Sequence, residues 1–452
     1  MPVTDSFSED SFVETCSSDL AFRKLIYQMS DEALPKMLDE TVLGIYAGFD
    51  PTADSLHLGN LLQLCNLRRL QSYGHRPVVV LGGGTAMIGD PGGKSAERKL
   101  LSKEEIERNI DGVLPQLEQF LDFSLPKEKN PAVLINNSSW LDELKLTDFL
   151  RDIGKHITVG QMIAKESVKS RIERPEQGIS FTEFSYMLLQ GYDFLQLYKS
   201  HGSNVQIGGS DQWGNITVGI DLISKIAGGK AFGFTSPLVL KADGSKFGKS
   251  EQGAIYLDKR KTSPFALYQY LLRSEDETVG DYLRFFTFLD RETILDLDYK
   301  RSLNPKARDS QAALAYELCA LIHGKDETNK VLQATKALYS DDVSLLSSDI
   351  LDAVINDVPK TIFPIQTLEN GIEIAEILAK TNLAKSKKDA RTIIGQGGAY
   401  INNKRIQDSD TIGDENLIDK KFILLRRGRK EVHLLVFSQD DLTDTLAPGQ
   451  AG

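Results

Sequence analysis

The strongest constraint on the fold is an alternation of short apolar runs with longer helical segments between residues 41 and 240. The apolar runs that predict strands lie at 42–49, 77–81, 132–135 and 205–207. Leucines at helical intervals predict a helix over 58–73. The alternation predicts an α/β fold with a parallel sheet and helices on both faces. Ligands of such sheets bind in the loops at the carboxyl ends of the strands.

Composition excludes several classes of protein. The chain has 452 residues, 41% of them hydrophobic, which is enough for two or three domains with real cores. The acidic start is not a signal peptide, and no run approaches the ~20 apolar residues of a membrane span. The cysteines Cys16, Cys65 and Cys319 form no Cys-x-x-Cys pair, so disulfides and structural zinc are not predicted and a cytoplasmic location is expected.

Charge is distributed unevenly along the chain. The formal net charge of −11 argues against a general nucleic-acid coat. Residues 371–433 nevertheless contain 13 Lys and Arg against 9 Asp and Glu, which leaves −15 for the rest. This asymmetry favours a nucleic-acid-facing module on an acidic body, although a solvated charged face fits charge alone equally well.

The pattern of residue types changes after residue 262. A mainly helical stretch is followed by a polar segment with two prolines and then by the small basic region. The predicted division is a first domain over 1–262, a helical domain over 263–346, a linker over 347–370, a small α+β domain over 371–437 and a flexible tail over 438–452.

The first chemically informative motif ends at a predicted strand-to-helix junction. His57 and Asn60 are three residues apart and share a helix face. The free N–H groups and positive dipole of a helix start favour phosphate, and Gly59 lets a nucleotide approach closely. Asp50 lies upstream, and Thr52 offers a hydroxyl to the same phosphates. Taken alone, the pattern also fits an ordinary helix start.

A second motif, Lys-Phe-Gly-Lys-Ser over 246–250, follows a turn-rich stretch. Lys246 and Lys249 can swing onto a departing pyrophosphate, with the hydroxyl of Ser250 beside them. Stabilising charge that develops only in the transition state raises kcat. The alternative is a solvated basic loop.

The glycine-rich stretch around Asp90 is similar to a phosphate-binding P-loop but fails by register. A Walker A motif needs a glycine five residues before Gly93, and that position is Ile88. Asp90 remains a candidate carboxylate in a loop after a strand. Lys94 and Arg98 add positive charge near the phosphates.

Three polar residues share one face of a predicted helix, with Tyr186, Gln190 and Asp193 at i, i+4 and i+7. Ser180 and Glu183 before them predict a capping box. Apolar residues cover the other faces, so this polar stripe is predicted to be buried and to need partners. Those partners are either a ligand or an internal hydrogen-bond network.

The glycine-rich segment 208–215 follows a strand and opens another helix. Its glycines allow a ligand to approach, and Asp211 is placed to accept from a ribose hydroxyl. The alternative is a tight turn with Asp211 as an N-cap. The six histidines are dispersed, so no Ser/His/Asp triad is proposed, and no metal-ligand spacing appears.

In this order the motifs resemble those of the bacterial tyrosyl-tRNA synthetases of class I. The resemblance spans about 46–430 and rests on the motifs at 46–60, 89–91, 186–193, 208–215 and 246–250. It implies a Rossmann-like catalytic domain, a helical anticodon-side domain, an S4-type RNA-binding domain over 371–437 and a homodimer.

The resemblance also implies roles in binding tyrosine. Tyr46 and Asp193 are expected to bind the phenolic hydroxyl of the amino acid. Asp90, Tyr186 and Gln190 are expected to hold its ammonium group.

For ATP, the resemblance places Thr52 and His57 beside the γ-phosphate, Asp50 and Gln212 beside the activated carboxyl group, and Asp211 at the ribose. Lys246, Lys249 and Ser250 are expected to follow the pyrophosphate, so that the predicted catalytic residues are these three with Thr52 and His57. The other residues predicted at the ATP site are Gly59, Asn60, Lys94 and Arg98. Mg²⁺ is expected to arrive with ATP, without a protein cage of its own.

The implied reaction joins tyrosine to tRNA(Tyr) through tyrosyl-adenylate, with ATP consumed and pyrophosphate released. One position departs from the family's signature, because Asn60 stands where histidine is common. The alternatives are a synthetase for tryptophan, against which Tyr46 and Asp193 argue, and an RNA-binding protein without catalysis.

Overall fold

A computed structural model describes residues 14–90, 101–172, 178–250, 253–339, 346–369, 371–407, 410–428 and 431–438. The chain divides into two compact units. One comprises Met1–Thr262 with Leu272–Leu314, and the other comprises Ser263–Leu271 with Ala315–Gly452.

The strands are β1 Gln28–Met29, β2 Gly44–Phe49, β3 Arg76–Leu81, β4 Val133–Asn136, β5 Ser203–Gly209, β6 Phe232–Ser236, β7 Lys249–Ser250, β8 Gly253–Ala254, β9 Lys360–Pro364, β10 Ile372–Glu373, β11 Ala399–Ile401, β12 Lys404–Arg405, β13 Thr411–Ile412, β14 Phe422–Arg427 and β15 Glu431–Ser438. The helices are α1 Cys16–Phe22, α2 Leu34–Glu40, α3 Leu58–Ser72, α4 Lys103–Phe120, α5 Ser138–Leu141, α6 Leu146–Asp152, α7 Val159–Ile163, α8 Glu166–Ile172, α9 Phe181–His201, α10 Trp213–Leu222, α11 Pro264–Leu272, α12 Val279–Phe286, α13 Arg291–Leu303, α14 Asp309–His323, α15 Lys325–Tyr339, α16 Ser348–Val354, α17 Ile374–Lys380 and α18 Lys387–Gly395.

A six-stranded sheet in the order β1-β6-β5-β2-β3-β4 forms the centre of the first unit. All pairs are parallel except β1 with β6, which is an antiparallel edge. The predicted parallel α/β fold is therefore confirmed, with one antiparallel strand added. The chain leaves β2 towards β3 and β4 and returns to β5 and β6, so a crevice opens at the carboxyl ends of β2 and β5.

Glycines allow α9 and α10 to pack closely beside this sheet. A Cβ atom on Gly191 would lie 2.9 Å from Val218, and one on Gly219 would lie 2.8 Å from Phe194. Close contact between the two helices fixes the face of α9 that carries the predicted polar stripe. The stripe therefore faces the crevice with little freedom to shift.

The second unit contains a five-stranded sheet in the order β12-β11-β14-β15-β9. Neighbouring strands are antiparallel except β15 with β9. Buried residues from α17, α18 and this sheet form one apolar core. The segment 347–370, predicted as a linker, contains α16 and the edge strand β9; the predicted domain boundaries otherwise stay predictions.

Side chains from the sheet region cap the end of α15 within this second unit. Asn403 donates to the carbonyl of Ala337 at 2.8 Å, and Arg426 donates to the carbonyl of Tyr339 at 3.1 Å. The guanidinium of Arg426 also lies 4.3 Å from the ring centroid of Tyr400. These contacts satisfy carbonyls that a helix end leaves without partners.

Two further properties of the described residues bear on the predictions above. None of the helices in the described ranges is long and apolar enough to cross a membrane. The three cysteines are buried and unpaired, and burial raises the pKa of Cys16 and of Cys65 to about 12.

Candidate active site

The crevice at the carboxyl ends of β2 and β5 contains a cavity of about 380 Å³. It is enclosed by the start of α3, the middle of α9 and the segment that follows β6. Most of the residues singled out from the sequence line it: Tyr46, Asp50, Thr52, His57, Gly59, Asn60, Asp90, Tyr186, Gln190, Asp193, Asp211, Gln212 and Lys246.

Asp193 lies at the inner end of this cavity and is almost fully buried. Its Oδ1 accepts from the indole N–H of Trp140 at 2.7 Å, and its Oδ2 accepts from Asn137 at 2.9 Å. The remaining lone pairs of the carboxylate are available to a hydroxyl donor. Tyr46 lines the same end of the cavity, with its ring held against Phe194 at a centroid distance of 5.8 Å.

Burial controls the protonation of Asp193 and Tyr46. It raises the pKa of Asp193 to about 7, although the donors Asn137 and Trp140 act in the opposite direction. Burial and the neighbouring carboxylates Asp193 and Asp50 raise the pKa of Tyr46 well above its ordinary value. The phenol of Tyr46 therefore stays protonated and can donate a hydrogen bond near neutral pH.

Asp50 is held from two sides in the middle of the cavity. Thr85 donates to its Oδ1 and Tyr186 donates to its Oδ2, both at 2.9 Å. Asn137 also donates to the Thr85 hydroxyl at 3.0 Å, which connects Asp50 to Asp193 through two side chains. Burial and Asp50 raise the pKa of Tyr186 well above its ordinary value, so this phenol is also protonated.

Amide side chains fix the orientation of the adjoining groups. Gln212 donates to Oδ2 of Asp90 at 2.7 Å. Asn215 donates to the oxygens of Gln190 at 2.9 Å and of Gln212 at 3.3 Å. Because both amide oxygens face Asn215, the NH₂ group of Gln212 is turned towards Asp90.

The start of α3 forms the outer wall of the cavity. His57 is the N-cap, and its Nδ1 accepts from the N–H of Gly59 at 3.0 Å. The oxygen of Asn60 accepts from the N–H of His57 at 3.2 Å. Nδ1 is thus an acceptor, which places the proton of the neutral ring on Nε2 as a donor. Asn60 contributes to the cap through its oxygen and keeps its NH₂ group as a donor.

The 246–250 motif begins at the end of a hairpin formed by residues 239–247, here called the lysine hairpin. Phe247 donates to the carbonyl of Val239 at 3.0 Å, and Lys241 donates to that of Ser245 at 2.8 Å. Gly248 follows at φ +83°, where a Cβ atom would lie 2.8 Å from Cβ of Leu58. The two sequence motifs therefore meet at the backbone.

Not every predicted residue is placed at the cavity. Lys246 lines it, whereas Lys249 is exposed in β7 and is not among the lining residues. The side chain of Ser250, like Lys94 and Arg98, lies outside the part of the chain that the structure describes. Among the described residues, no group of three or more His, Cys, Asp and Glu side chains is arranged to hold a metal ion.

Sequence reasoning missed four polar residues of this network, namely Thr85, Asn137, Trp140 and Asn215. Asn137 directly follows β4, so the rule that functional loops follow parallel strands was a usable signal for it. Asn215 lies in the glycine-rich segment 208–215, but nothing in that segment predicts its bonds to Gln190 and Gln212. The alternatives for the α9 stripe prove compatible, since its residues line the cavity and also join an internal network.

Comparison with known proteins places the chain in a family. Residues 38–340 match the model for tRNA synthetases class I (W and Y), and 349–435 match that for the Tyrosine–tRNA ligase SYY-like C-terminal domain. The tyrosine–tRNA ligase of Roseiflexus castenholzii is 46% identical over 427 residues, covering 93% of this chain and 99% of that protein. The chain belongs to the tyrosine–tRNA ligase family. The family that the sequence motifs indicated is thereby confirmed.

Another member of the family and a solved structure support this assignment. The tyrosine–tRNA ligase of Bacillus caldotenax is 45% identical over 425 residues, covering 93% of this chain and 99% of that protein. A C-terminally truncated mitochondrial tyrosyl-tRNA synthetase of Aspergillus nidulans has a TM-score of 0.63 and 34% identity, covering 71% of this chain and 92% of that one. The class I synthetase fold of the family is therefore the fold found here.

Proposed function

We propose that tyrosine is activated in this cavity, with the phenol ring directed at Asp193 and the carboxylate directed outwards to ATP. As a family member, the chain joins tyrosine to tRNA(Tyr) and consumes ATP. The residue assignment is supported chiefly by two almost fully buried groups that line the same cavity, the carboxyl group of Asp193 and the phenol of Tyr46, whose pKa burial and the charge of Asp193 raise. A phenolic hydroxyl there donates to Asp193 and accepts from Tyr46.

The ammonium group of tyrosine is assigned to Asp90, Tyr186 and Gln190. Asp90 supplies the negative charge, held in place by Gln212. The oxygens of Tyr186 and Gln190 each retain a lone pair after their bonds to Asp50 and Asn215. These three groups thus fix the amino end while Asp193 fixes the phenol end.

Activation needs positioning and charge stabilisation more than proton transfer. The tyrosine carboxylate is already a nucleophile, so its attack on the α-phosphorus of ATP requires no general base. Asp50 and Gln212 lie beside the carboxylate, and Asp211 accepts from the ribose. Asp50 is itself held by Thr85 and Tyr186, which limits its movement during the reaction.

Pyrophosphate leaves past hydrogen-bond donors on one side and positively charged side chains on the other. The Nε2–H of His57 and the hydroxyl of Thr52 contact the phosphates from the α3 side, where Gly59 carries no side chain and Asn60 adds its NH₂ group. Lys246 acts from the lysine hairpin, and we add Lys249, Ser250, Lys94 and Arg98 to this group on their sequence motifs alone. Mg²⁺ accompanies ATP, because oxygen ligands from the phosphates satisfy much of its coordination.

Selection against other aromatic amino acids follows from burial. Phenylalanine would leave the hydrogen-bonding groups of Asp193 and Tyr46 without a partner in a closed site, and this penalty exceeds the loss of one bond in water. Tryptophan would be the substrate if the chain were the alternative synthetase. Its indole N–H does not lie where the hydroxyl of tyrosine lies relative to the carbon that joins the ring to the rest of the amino acid. The site thus favours tyrosine.

Exchange of labelled pyrophosphate into ATP tests this proposal directly. Exchange is expected with tyrosine and to be far weaker with tryptophan or phenylalanine. Asp193→Ala is expected to weaken tyrosine use by about 1–3 kcal/mol or more, because it orphans buried donors. Asp296→Ala, which removes an exposed carboxylate on α13, is the control. Equal exchange with tryptophan, or an unchanged tyrosine KM and kcat in Asp193→Ala, would refute the assignment.

The second unit is proposed to bind tRNA through its basic five-stranded region. A variant that ends at residue 346 removes the whole sheet, whereas a cut at 370 would separate β9 from its partner β15. The shorter variant is expected to retain exchange but to lose tRNA charging and its dependence on salt. Normal charging by this variant would show that the sheet has another role.

We infer that the protein acts as a homodimer in the cytoplasm. Among the exposed large apolar side chains described in the first unit, six come from the consecutive elements α6 to α9: Leu146, Leu150, Val159, Ile163, Ile172 and Phe181. Such a concentration favours burial against another protein surface. Sedimentation is expected to give twice the chain mass, and Leu146→Asp is expected to shift it towards the monomer.

A further inference from the structure

Tyr282 on α12 touches both strands of the lysine hairpin. Its hydroxyl donates to the carbonyl of Leu240 at 2.7 Å, and its ring centroid lies 4.4 Å from that of Phe247. Leu240 and Lys246 are paired across the hairpin. A single side chain thus holds the strand that enters the hairpin and the strand that leaves it towards Gly248.

The ring contact is part of a buried aromatic cluster. Phe247 also stacks on Phe286 with a centroid distance of 5.3 Å and an interplanar angle of 25°. Tyr282, Phe247 and Phe286 are all buried, while Lys246 and Lys249 on either side of Phe247 are exposed. The backbone of the motif is therefore anchored at Phe247, directly beside Lys246, which lines the cavity.

The helix that carries Tyr282 is itself fixed to α3. The thiol of Cys65 donates to the carbonyl of Phe286 at 3.5 Å, and Arg69 donates to that of Thr287 at 2.9 Å. Because α3 begins next to His57, α12 links the lysine hairpin to the helix on the other side of the phosphate site. Tyr282 is the point where this link meets the hairpin.

We propose that Tyr282 is a positioning residue that holds Lys246 in reach of the departing pyrophosphate. This inference rests on the proposed function of that lysine. Tyr282 lies outside the residues that line the cavity, so its effect passes through the hairpin rather than through contact with tyrosine. It therefore acts on kcat for tyrosine activation and leaves tyrosine binding unchanged.

The test replaces the hydroxyl alone. Tyr282→Phe is expected to lower kcat of tyrosine-dependent exchange about three- to tenfold, the range for one hydrogen bond, with tyrosine KM unchanged and the melting temperature lowered by only a few degrees. Phe247→Leu is expected to act in the same direction from the other side of the contact. Tyr299→Phe, at an exposed tyrosine on α13, is the matched control and is expected to match the wild type. An unchanged kcat, or an equal change in tyrosine KM, would overturn the inference.

A double-mutant cycle with Lys246→Ala shows whether the effect passes through the lysine. In that background Tyr282→Phe is expected to cost less than about twofold, because the group it positions is gone. Losses that simply multiply would overturn the inference. If Lys246→Ala itself leaves exchange unchanged, the proposed function fails; if it lowers exchange and Tyr282→Phe does not, only the role of Tyr282 fails.

Discussion

At the scale of single residues, two opposing influences set the charge of the buried carboxyl group of Asp193. Burial favours its neutral form, and two donors from the segment after β4 favour its charged form. The helical period of α9 was enough to predict that Asp193 shares a face with Tyr186 and Gln190. The donors Asn137 and Trp140 could not be assigned to it, because tertiary packing brings them there from far along the chain.

The raised pKa of Asp193 predicts how stability depends on pH in the ligand-free protein. The carboxyl titrates near 7 when folded and at about 3.9 when unfolded. The folded protein therefore binds this proton more tightly, and the resulting stability is full below about pH 4 and lost as pH rises through 7. The free energy of unfolding of the wild type relative to Asp193→Asn is thus expected to fall between pH 5 and pH 8. Denaturant titrations measure it, and a pH-independent difference would contradict the prediction.

At the scale of secondary-structure elements, local patterns predicted what local forces determine. The strand β2 and the helix α3 lie close to their predicted positions, since apolar runs and leucine spacing are local signals. The two-residue strand β1 and the edge strand β9 were not predicted, because each depends on pairing with a distant partner strand. The contact of the lysine hairpin with α3 is equally non-local.

That contact gives a prediction for Gly248. Gly248→Ala is expected to lower kcat of exchange roughly tenfold, because its Cβ would collide with Leu58 and push the hairpin from α3, an overpacking of about 1–3 kcal/mol. Gly244→Ala is the control: it has a similar φ of +79° but nothing within 4 Å of the added atom. Equal losses in both variants would assign the effect to backbone strain alone.

At the scale of the whole molecule, the division into two units separates the proposed chemistry from the proposed tRNA contact. All residues lining the cavity belong to the first unit. The basic sheet and the helix end that it caps belong to the second. The charge count marked residues 371–433 as distinct from the rest of the chain, whereas the contacts of Asn403 and Arg426 with the end of α15 required the structure.

Asn403 tests the cohesion of the second unit. Asn403→Gly is expected to lower stability there by about 1 kcal/mol, because it removes the bond to Ala337 while glycine accepts the φ of +65°. Asn382→Gly, at an exposed residue with φ +58°, is the control. Calorimetry with and without tyrosine is the measurement, since the ligand is expected to raise only the transition of the first unit. A shift in the tyrosine-sensitive transition would contradict this.

The buried cysteines have a practical consequence. With three thiols in the chain, all buried and with raised pKa values, alkylating reagents and fluorescent maleimides are expected to react slowly with the wild type. Ser245→Cys would then introduce one accessible thiol at the tip of the lysine hairpin. A dye attached there would test whether the hairpin moves during turnover, without a cysteine-free background having to be engineered first.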